Sequence, residues 1–253
     1  MKVASEVSGN NVIEVKDLVK RFGDFIADDK LTFTVGKGQI FGLLGANGAG
    51  KTTAIRMLCG LLKPTAGYIK VAGYDGFTQS DKIKENIGYM SQKFSLYEDL
   101  TVWENIRFFG GIYGLWGKQL RERSEELLQN LGMDQHRDTP IADLPLGWKQ
   151  RLAFSVAQIH KPAVIFLDEP TGGVDPIARK HFWELISKAA YSGTTVVVTT
   201  HYMDEAEYCN QIVIMVDGKI VANNTPLELK KEYQAKTMND VFLRLAQSAS
   251  RTE

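Results

Sequence analysis

Apolar positions along this 253-residue chain switch twice between two spacings. Leu31, Phe33 and Val35 alternate with polar neighbours, the period-two pattern of a half-buried strand, and Gly36-Lys37-Gly38 reads as the turn that follows. The apolar run Ile40-Phe41-Gly42-Leu43-Leu44, entered from Gln39, is short enough for a buried strand. Small and apolar residues over 54–62 predict a helix. It ends at Lys63-Pro64-Thr65-Ala66-Gly67, since proline cannot continue it and glycine permits the turn. Tyr68-Ile69-Lys70-Val71 predicts another short strand. From Phe94 to His160 the spacing becomes helical, with candidates over 101–113, 119–131 and 148–159. Thr101 is placed to N-cap the first of these, and Glu104 completes a capping box. After Pro162 strands return over 163–167, 194–200 and 212–216, with a helix over 176–190 between the first two. The chain beyond Thr225 is charged and helical.

Strands alternating with helices predict an α/β fold whose parallel core is interrupted by a helical insertion. The expected division is 12–92 for the core and a β subdomain, 93–160 for the helical insertion, 161–224 for the rest of the core, and 225–253 for a helical tail. No repeat or low-complexity segment breaks this pattern. Thirty basic and thirty acidic residues cancel, and no basic run with interleaved aromatics is present, so a nucleic-acid partner is not expected. Cys59 and Cys209 lack metal-ligand spacing and read as reduced packing residues of an intracellular protein. The N-terminal MKVASEVSGNN is too polar for a signal segment, and no apolar stretch reaches the length of a bilayer span. The expectation is a soluble chain whose membrane role, if any, comes through a partner.

Candidate chemistry concentrates in two places. Gly45-Ala46-Asn47-Gly48-Ala49-Gly50-Lys51-Thr52-Thr53 follows a predicted strand and precedes a predicted helix. In that context G-x-x-x-x-G-K-[ST] describes a loop whose backbone N–H groups wrap the phosphates of ATP or GTP. The helix N-terminus adds partial positive charge, Lys51 reaches the β- and γ-phosphates, and Thr52 offers its hydroxyl to Mg²⁺. Downstream, the apolar run Val164-Ile165-Phe166-Leu167 ends in Asp168-Glu169. A carboxylate pair at a buried strand tip suits a phosphate-loop enzyme: Asp168 helps hold Mg²⁺, and Glu169 accepts a proton from attacking water. His201 ends the strand Val196-Val197-Val198-Thr199-Thr200, whereas His136, His160 and His181 have no motif around them.

The order of these motifs resembles the nucleotide-binding domain of ABC transporters from about Val12 to Ala222: the phosphate loop, Gln92, a signature region from Leu144 to Gln150, Asp168-Glu169, Gly172-Gly173-Val174-Asp175, and His201. The resemblance implies a P-loop NTPase (RecA-like) core with an antiparallel β subdomain and a helical subdomain insertion. ATP and Mg²⁺ are the implied cofactors, and dimerisation head to tail is implied. It also implies that Phe22 stacks on adenine and that Gly45, Asn47, Gly48, Ala49, Gly50, Lys51, Thr52 and Thr53 hold the phosphates. Thr52, Gln92 and Asp168 would hold the metal, and Glu169, His201 and Gln92 would carry catalysis. Gln92 would also sense a membrane partner, His201 would donate to the γ-phosphate, and Asp175 would couple two sites. Thr200-His201-Tyr202-Met203-Asp204-Glu205-Ala206-Glu207 and Met238-Asn239-Asp240-Val241-Phe242-Leu243 look like the bacterial ATPases that drive export of drugs and polysaccharides through a separate permease. That likeness implies a peripheral subunit on the cytoplasmic face of the membrane, paired with permease subunits and a second ATP-binding subunit.

One segment departs from the family. The signature Leu-Ser-Gly-Gly-Gln is here Leu144-Pro145-Leu146-Gly147-Trp148. Pro145 brings neither a hydroxyl nor an N–H, and Leu146 puts a branched side chain where glycine permits close approach. Because this segment serves the partner's nucleotide, a heterodimer would hold one weakened site and a homodimer two. Two other classes remain open: a soluble ABC ATPase, and a nucleotide-binding interaction module with weak turnover.

Overall fold

The computed structural model describes residues 11–249 apart from Phe94, without the side chains of 247–249; the polar N-terminal residues 1–10 and the end of the charged tail lie outside the described residues. In chain order the strands and helices are β1 (Asn11–Phe22), β2 (Phe25–Gly36), β3 (Ile40–Gly45), α1 (Lys51–Leu58), β4 (Ala66–Val71), β5 (Tyr74–Asp75), α2 (Ser80–Asn86) and β6 (Ile87–Met90). Then come α3 (Val102–Ile112), α4 (Gly117–Leu131), α5 (Leu146–Ala157), β7 (Val164–Asp168), α6 (Pro176–Tyr191), β8 (Thr195–Thr200), β9 (Gln211–Val216), β10 (Lys219–Asn224), α7 (Pro226–Glu232) and α8 (Met238–Ala249).

These strands build two sheets. The central one runs β10-β9-β3-β8-β7-β6. It is parallel throughout except for the β9–β10 hairpin. Every residue of β3, β7 and β8 is buried, as expected for parallel strands covered on both faces. Alternate side chains feed two cores. Phe41, Leu43, Phe166 and Val197 point with α1 toward the second sheet, while Ile40, Leu44, Ile165 and Val198 meet Phe154, Trp183 and Val241 on the other face. Each such fully buried side chain contributes roughly 1.5–3 kcal/mol.

The second sheet, β2-β1-β4-β5, is antiparallel and closes over α1. The third unit is helical: α3, α4 and α5 share a cluster of Val102, Ile106, Leu127, Leu131, Leu152 and Val156. Helix α5 serves two masters, since Ala153 and Phe154 belong to the central core while Leu152 and Val156 belong to the helical one. The architecture is the mixed α/β phosphate-loop fold with a helical insertion.

Several boundaries differ from the sequence expectation. Helix α1 starts at Lys51 and stops at Leu58, because Gly60 turns left-handed at φ 67° before the proline is reached. Helix α4 begins at Gly117 and α5 at Leu146, each two residues earlier than the apolar spacing indicated. The capping box is as read: Thr101 Oγ1 accepts from Glu104 N–H at 3.2 Å, and the Glu104 carboxylate accepts from Thr101 N–H at 2.9 Å. Both cysteines are free and buried, and burial pushes both thiol pKa values up.

Candidate functional site

The loop between β3 and α1 is shaped by glycines. Gly48 and Gly50 sit at φ 85° and 101°, conformations that a side chain disfavours. Gly50 is the N-cap of α1 and offers no side chain to it, and the first turn holds no acidic residue. The leading N–H groups of α1 are thereby left to an external anion.

Lys51, on the first turn of α1, is 4% exposed and fully engaged. Its Nζ donates to Gly45 O at 2.9 Å and Ala46 O at 3.0 Å, and pairs with Glu169 Oε1 at 3.2 Å. Beside it, Thr52 Oγ1 donates to Asp168 Oδ1 at 3.2 Å, and Thr199 Oγ1 of the neighbouring strand donates to the same oxygen at 2.7 Å. Glu169 follows the tip of β7 at φ 47°. Its N–H donates to Thr199 Oγ1 at 2.9 Å, which fixes the turn that aims the carboxylate. The second carboxylate oxygen, Oε2, lies 3.1 Å from His201 Nδ1 and accepts from Gln92 Nε2 at 3.4 Å. Three separate segments thus bring Lys51, Gln92 and His201 to the Glu169 carboxylate.

A cleft of about 370 Å³ opens on this group. Asn47, Gly48, Gly50, Lys51, Thr52 and Thr53 floor it, and Gln92 and Glu169 close one side. Gly45 ends β3 beneath the loop, and Ala49 is turned inward and buried. The remaining wall is Phe25 and Ala27 of β2. Phe22 pairs with Phe25 at the tip of the β1–β2 hairpin, half exposed, with Lys20 Nζ 4.9 Å from its ring centre. Phe25, 67% exposed, is a wall residue that sequence reasoning missed; its signal was a second aromatic three positions after Phe22.

The donor set suits a hard divalent cation. A hydroxyl and a carboxylate oxygen lie side by side at Thr52 and Asp168. Among the described residues no cluster of three His, Cys, Asp or Glu could hold a metal alone. Mg²⁺ commonly takes one or two protein oxygens and completes its shell with phosphates and water, so these residues fit it.

Other predicted residues lie away from the cleft. Asp175 caps α6, accepting from Ile177 N–H at 2.9 Å and Ala178 N–H at 3.0 Å, and these bonds lower its pKa against a smaller opposing effect of burial. Leu144 is buried, and Pro145 is the N-cap of α5 with no side-chain cap bond. Leu146 is 43% exposed at the start of that helix. It shares a second cleft, of about 260 Å³, with Gln92, Glu98, Lys149 and Gly172. Gly147 faces the start of α6, where a Cβ would come 3.4 Å from Ala178 Cβ. Trp148 lies edge-on to His136 at 5.3 Å. Lys149 is tied back to Glu98 Oε1 at 3.3 Å and Ala142 O at 3.2 Å. Gln150, at the end of the signature region, is buried and donates to Pro170 O at 2.6 Å, joining α5 to the segment after Glu169.

Comparison with known proteins is consistent with this geometry. The profile of the ABC transporter family matches residues 29–172. The "probable multidrug ABC transporter ATP-binding protein YbhF" of Escherichia coli is 48% identical over 242 residues, covering 94% of this chain and 42% of that protein. The chain therefore spans less than half the length of that relative. The Nod factor export ATP-binding protein I of Ralstonia nicotianae is 38% identical, over 88% of this chain and 70% of its own. Among solved structures, an ATP-binding subunit of an ABC transporter superposes with a TM-score of 0.82 at 27% identity, covering 93% of this chain and 99% of that one.

Proposed function

The chain belongs to the ABC transporter family, and we propose that it is an ATP-binding and ATP-hydrolysing subunit that powers export through a separate membrane permease. The observation that carries this reading is the grip of Lys51, Gln92 and His201 on the Glu169 carboxylate beside the phosphate loop.

The chemistry follows from competition for Lys51. A phosphate brought to the loop offers the ammonium a denser charge than Glu169 does, so Lys51 exchanges one oxygen for another. The released carboxylate is then free to take the proton of an attacking water, held near by Gln92. His201, relieved of the same carboxylate, donates to the terminal phosphate as charge builds there. Thr52 and Asp168, with Gln92 alongside, would hold Mg²⁺, which would supply positive charge against the phosphates. Phe25 and Phe22 at the hairpin tip offer the aromatic surface on which a base stacks.

Partners are part of the proposal. No helix among the described residues is long and apolar enough to cross a membrane. A peripheral position on the cytoplasmic face, docked on permease subunits, fits a chain of this family. Tyr97, half exposed, packs edge-on against Phe108 at 4.8 Å, and buried Asn105 holds the loop by bonds to Tyr97 N–H and O. That rigid aromatic ledge beside Glu98 suits an amphipathic helix of the permease. The export direction rests on the names of the relatives. A second ATP-binding subunit is expected to supply the signature contact that completes the Lys51 site.

A second reading is a module that binds nucleotide with weak turnover. Pro145 and the exposed Leu146 favour it, since this face has lost a hydroxyl and a close backbone approach. Retention of Glu169 and His201 favours the hydrolase. Lys51→Ala tests the shared premise. It should weaken MgATP binding at least ~100-fold in equilibrium titration, because it deletes a desolvated charge against two phosphates. Unchanged affinity would remove the loop from nucleotide binding and overturn both readings.

A further inference from the structure

Three buried acids among the described residues lie near the central sheet: Asp28, Asp168 and Glu205. Asp168 accepts from two threonine hydroxyls and Glu205 from Thr171 at 2.6 Å. Asp28, on β2 and fully buried, has no hydrogen-bond partner for either carboxylate oxygen among the described residues. It lies directly beneath the phosphate loop: a Cβ on Gly50 would fall 2.2 Å from Asp28 Oδ1. The residue immediately before it, Ala27, lines the nucleotide cleft together with Gly50.

The charged groups on the surrounding elements are engaged elsewhere. Lys20, opposite Asp28 on β1, sends its Nζ to Lys63 O at 2.8 Å. Lys51 of α1 holds Glu169 at 3.2 Å, and Lys219 of β10 pairs with Asp29 at 3.8 Å. Asp217 and Lys30, on the β9–β10 turn and on β2 itself, bond neither oxygen of Asp28. Burial alone acts on the carboxyl and raises its pKa to about 7. A buried carboxylate without a partner is costly, whereas the neutral acid is much less so.

We propose that Asp28 is a positioning residue of the phosphate loop that accepts nucleotide as a neutral acid, so that nucleotide binding takes up a proton. The inference rests on the nucleotide reading of the cleft. Phosphates placed over Gly50 bring negative charge close to Asp28, which disfavours the carboxylate further. Below the free-state pKa the carboxyl is already neutral and binding carries no penalty. Above it, binding must first protonate Asp28, and affinity falls with rising pH until the bound-state pKa is passed. One net charge at about 10 Å in a partly buried setting moves that pKa by about one unit, or about ten-fold in affinity.

The test is calorimetric titration of the full chain with MgADP, which binds without turnover, between pH 6 and pH 9 in two buffers of different ionisation heat. Wild type is expected to lose about ten-fold in affinity across that range and to take up about half a proton near pH 7.5. Asp28→Asn should hold the low-pH affinity throughout and lose that uptake, and so should Asp28→Thr, which serves if the asparagine variant folds poorly. Wild type and the variants sharing one pH profile and one proton count would overturn this inference alone. No MgADP binding at any pH would overturn the nucleotide reading and this inference with it.

Discussion

His160 shows how burial sets chemistry one residue at a time. Its ring stacks on Tyr113 at 3.8 Å, Nε2 meets Ile87 O at 3.1 Å, and Nδ1 has no partner among the described residues. Burial pulls its pKa from 6.5 down to about 4, outweighing the opposite pull of the Ile87 carbonyl. Between those values the unfolded chain holds a proton that the folded chain refuses, so stability is lost as pH falls from 6.5 toward 4. Urea midpoints at pH 7 and pH 5 should differ more for wild type than for His160→Phe, which keeps the stack and cannot be protonated; equal differences would contradict this. At this scale the phosphate loop was legible because its chemistry lies in one contiguous run, from Gly45 to Thr53. Asp168, Glu169 and His201 were legible because each ends a readable strand. Asp28 was not, since Asp28-Asp29-Lys30 reads as a solvated charge cluster until the docked phosphate loop buries its first member. Phe25 is alike in this: the cleft it walls is built from distant chain.

Elements were readable where one force dominated. The α3 cap and the wholly buried β7 and β8 follow from local chemistry and from burial on both faces. Strand β1 was not read, and its pairing gives the reason. Register shifts with β2 between Val15 and Leu18, and with β4 between Lys16 and Val19, break the period-two alternation, and Asp17 turns left-handed at φ 47° within the break. Helix α2 escaped notice because it buries one side chain, Ile83, and so carries no apolar stripe. The C-terminal helices α7 and α8 show the reverse: a tail that reads as charged docks Leu229, Val241 and Leu245 into the central core. Propensity and pattern describe a segment alone, whereas these elements are fixed by what they lie against.

For the whole molecule, the cluster of Lys51, Gln92 and His201 around Glu169 stands beside a signature segment whose sequence departs from the family pattern. Gln150 links α5 to Pro170, next to Glu169, and Lys149 links the same helix to Glu98. The signature helix is thus tied to the segment that follows Glu169 and to the loop that carries Glu98. If Pro145 and Leu146 weaken closure over a partner's nucleotide, restoring serine and glycine should tighten the MgATP-bound dimer by about 1–3 kcal/mol, through one charge-assisted bond and closer approach. Sedimentation of Glu169→Gln chains with and without Pro145→Ser/Leu146→Gly reads this directly; equal dimerisation would mean the segment contributes little. The central claim, that Glu169 activates water in a phosphate-loop site, is tested most directly by the ATP turnover of Glu169→Gln beside that of wild type. The variant is expected to bind MgATP at least as tightly, since it no longer competes for Lys51, and to hydrolyse it at least ~100-fold more slowly. Turnover equal to wild type at unchanged MgATP affinity would contradict the account.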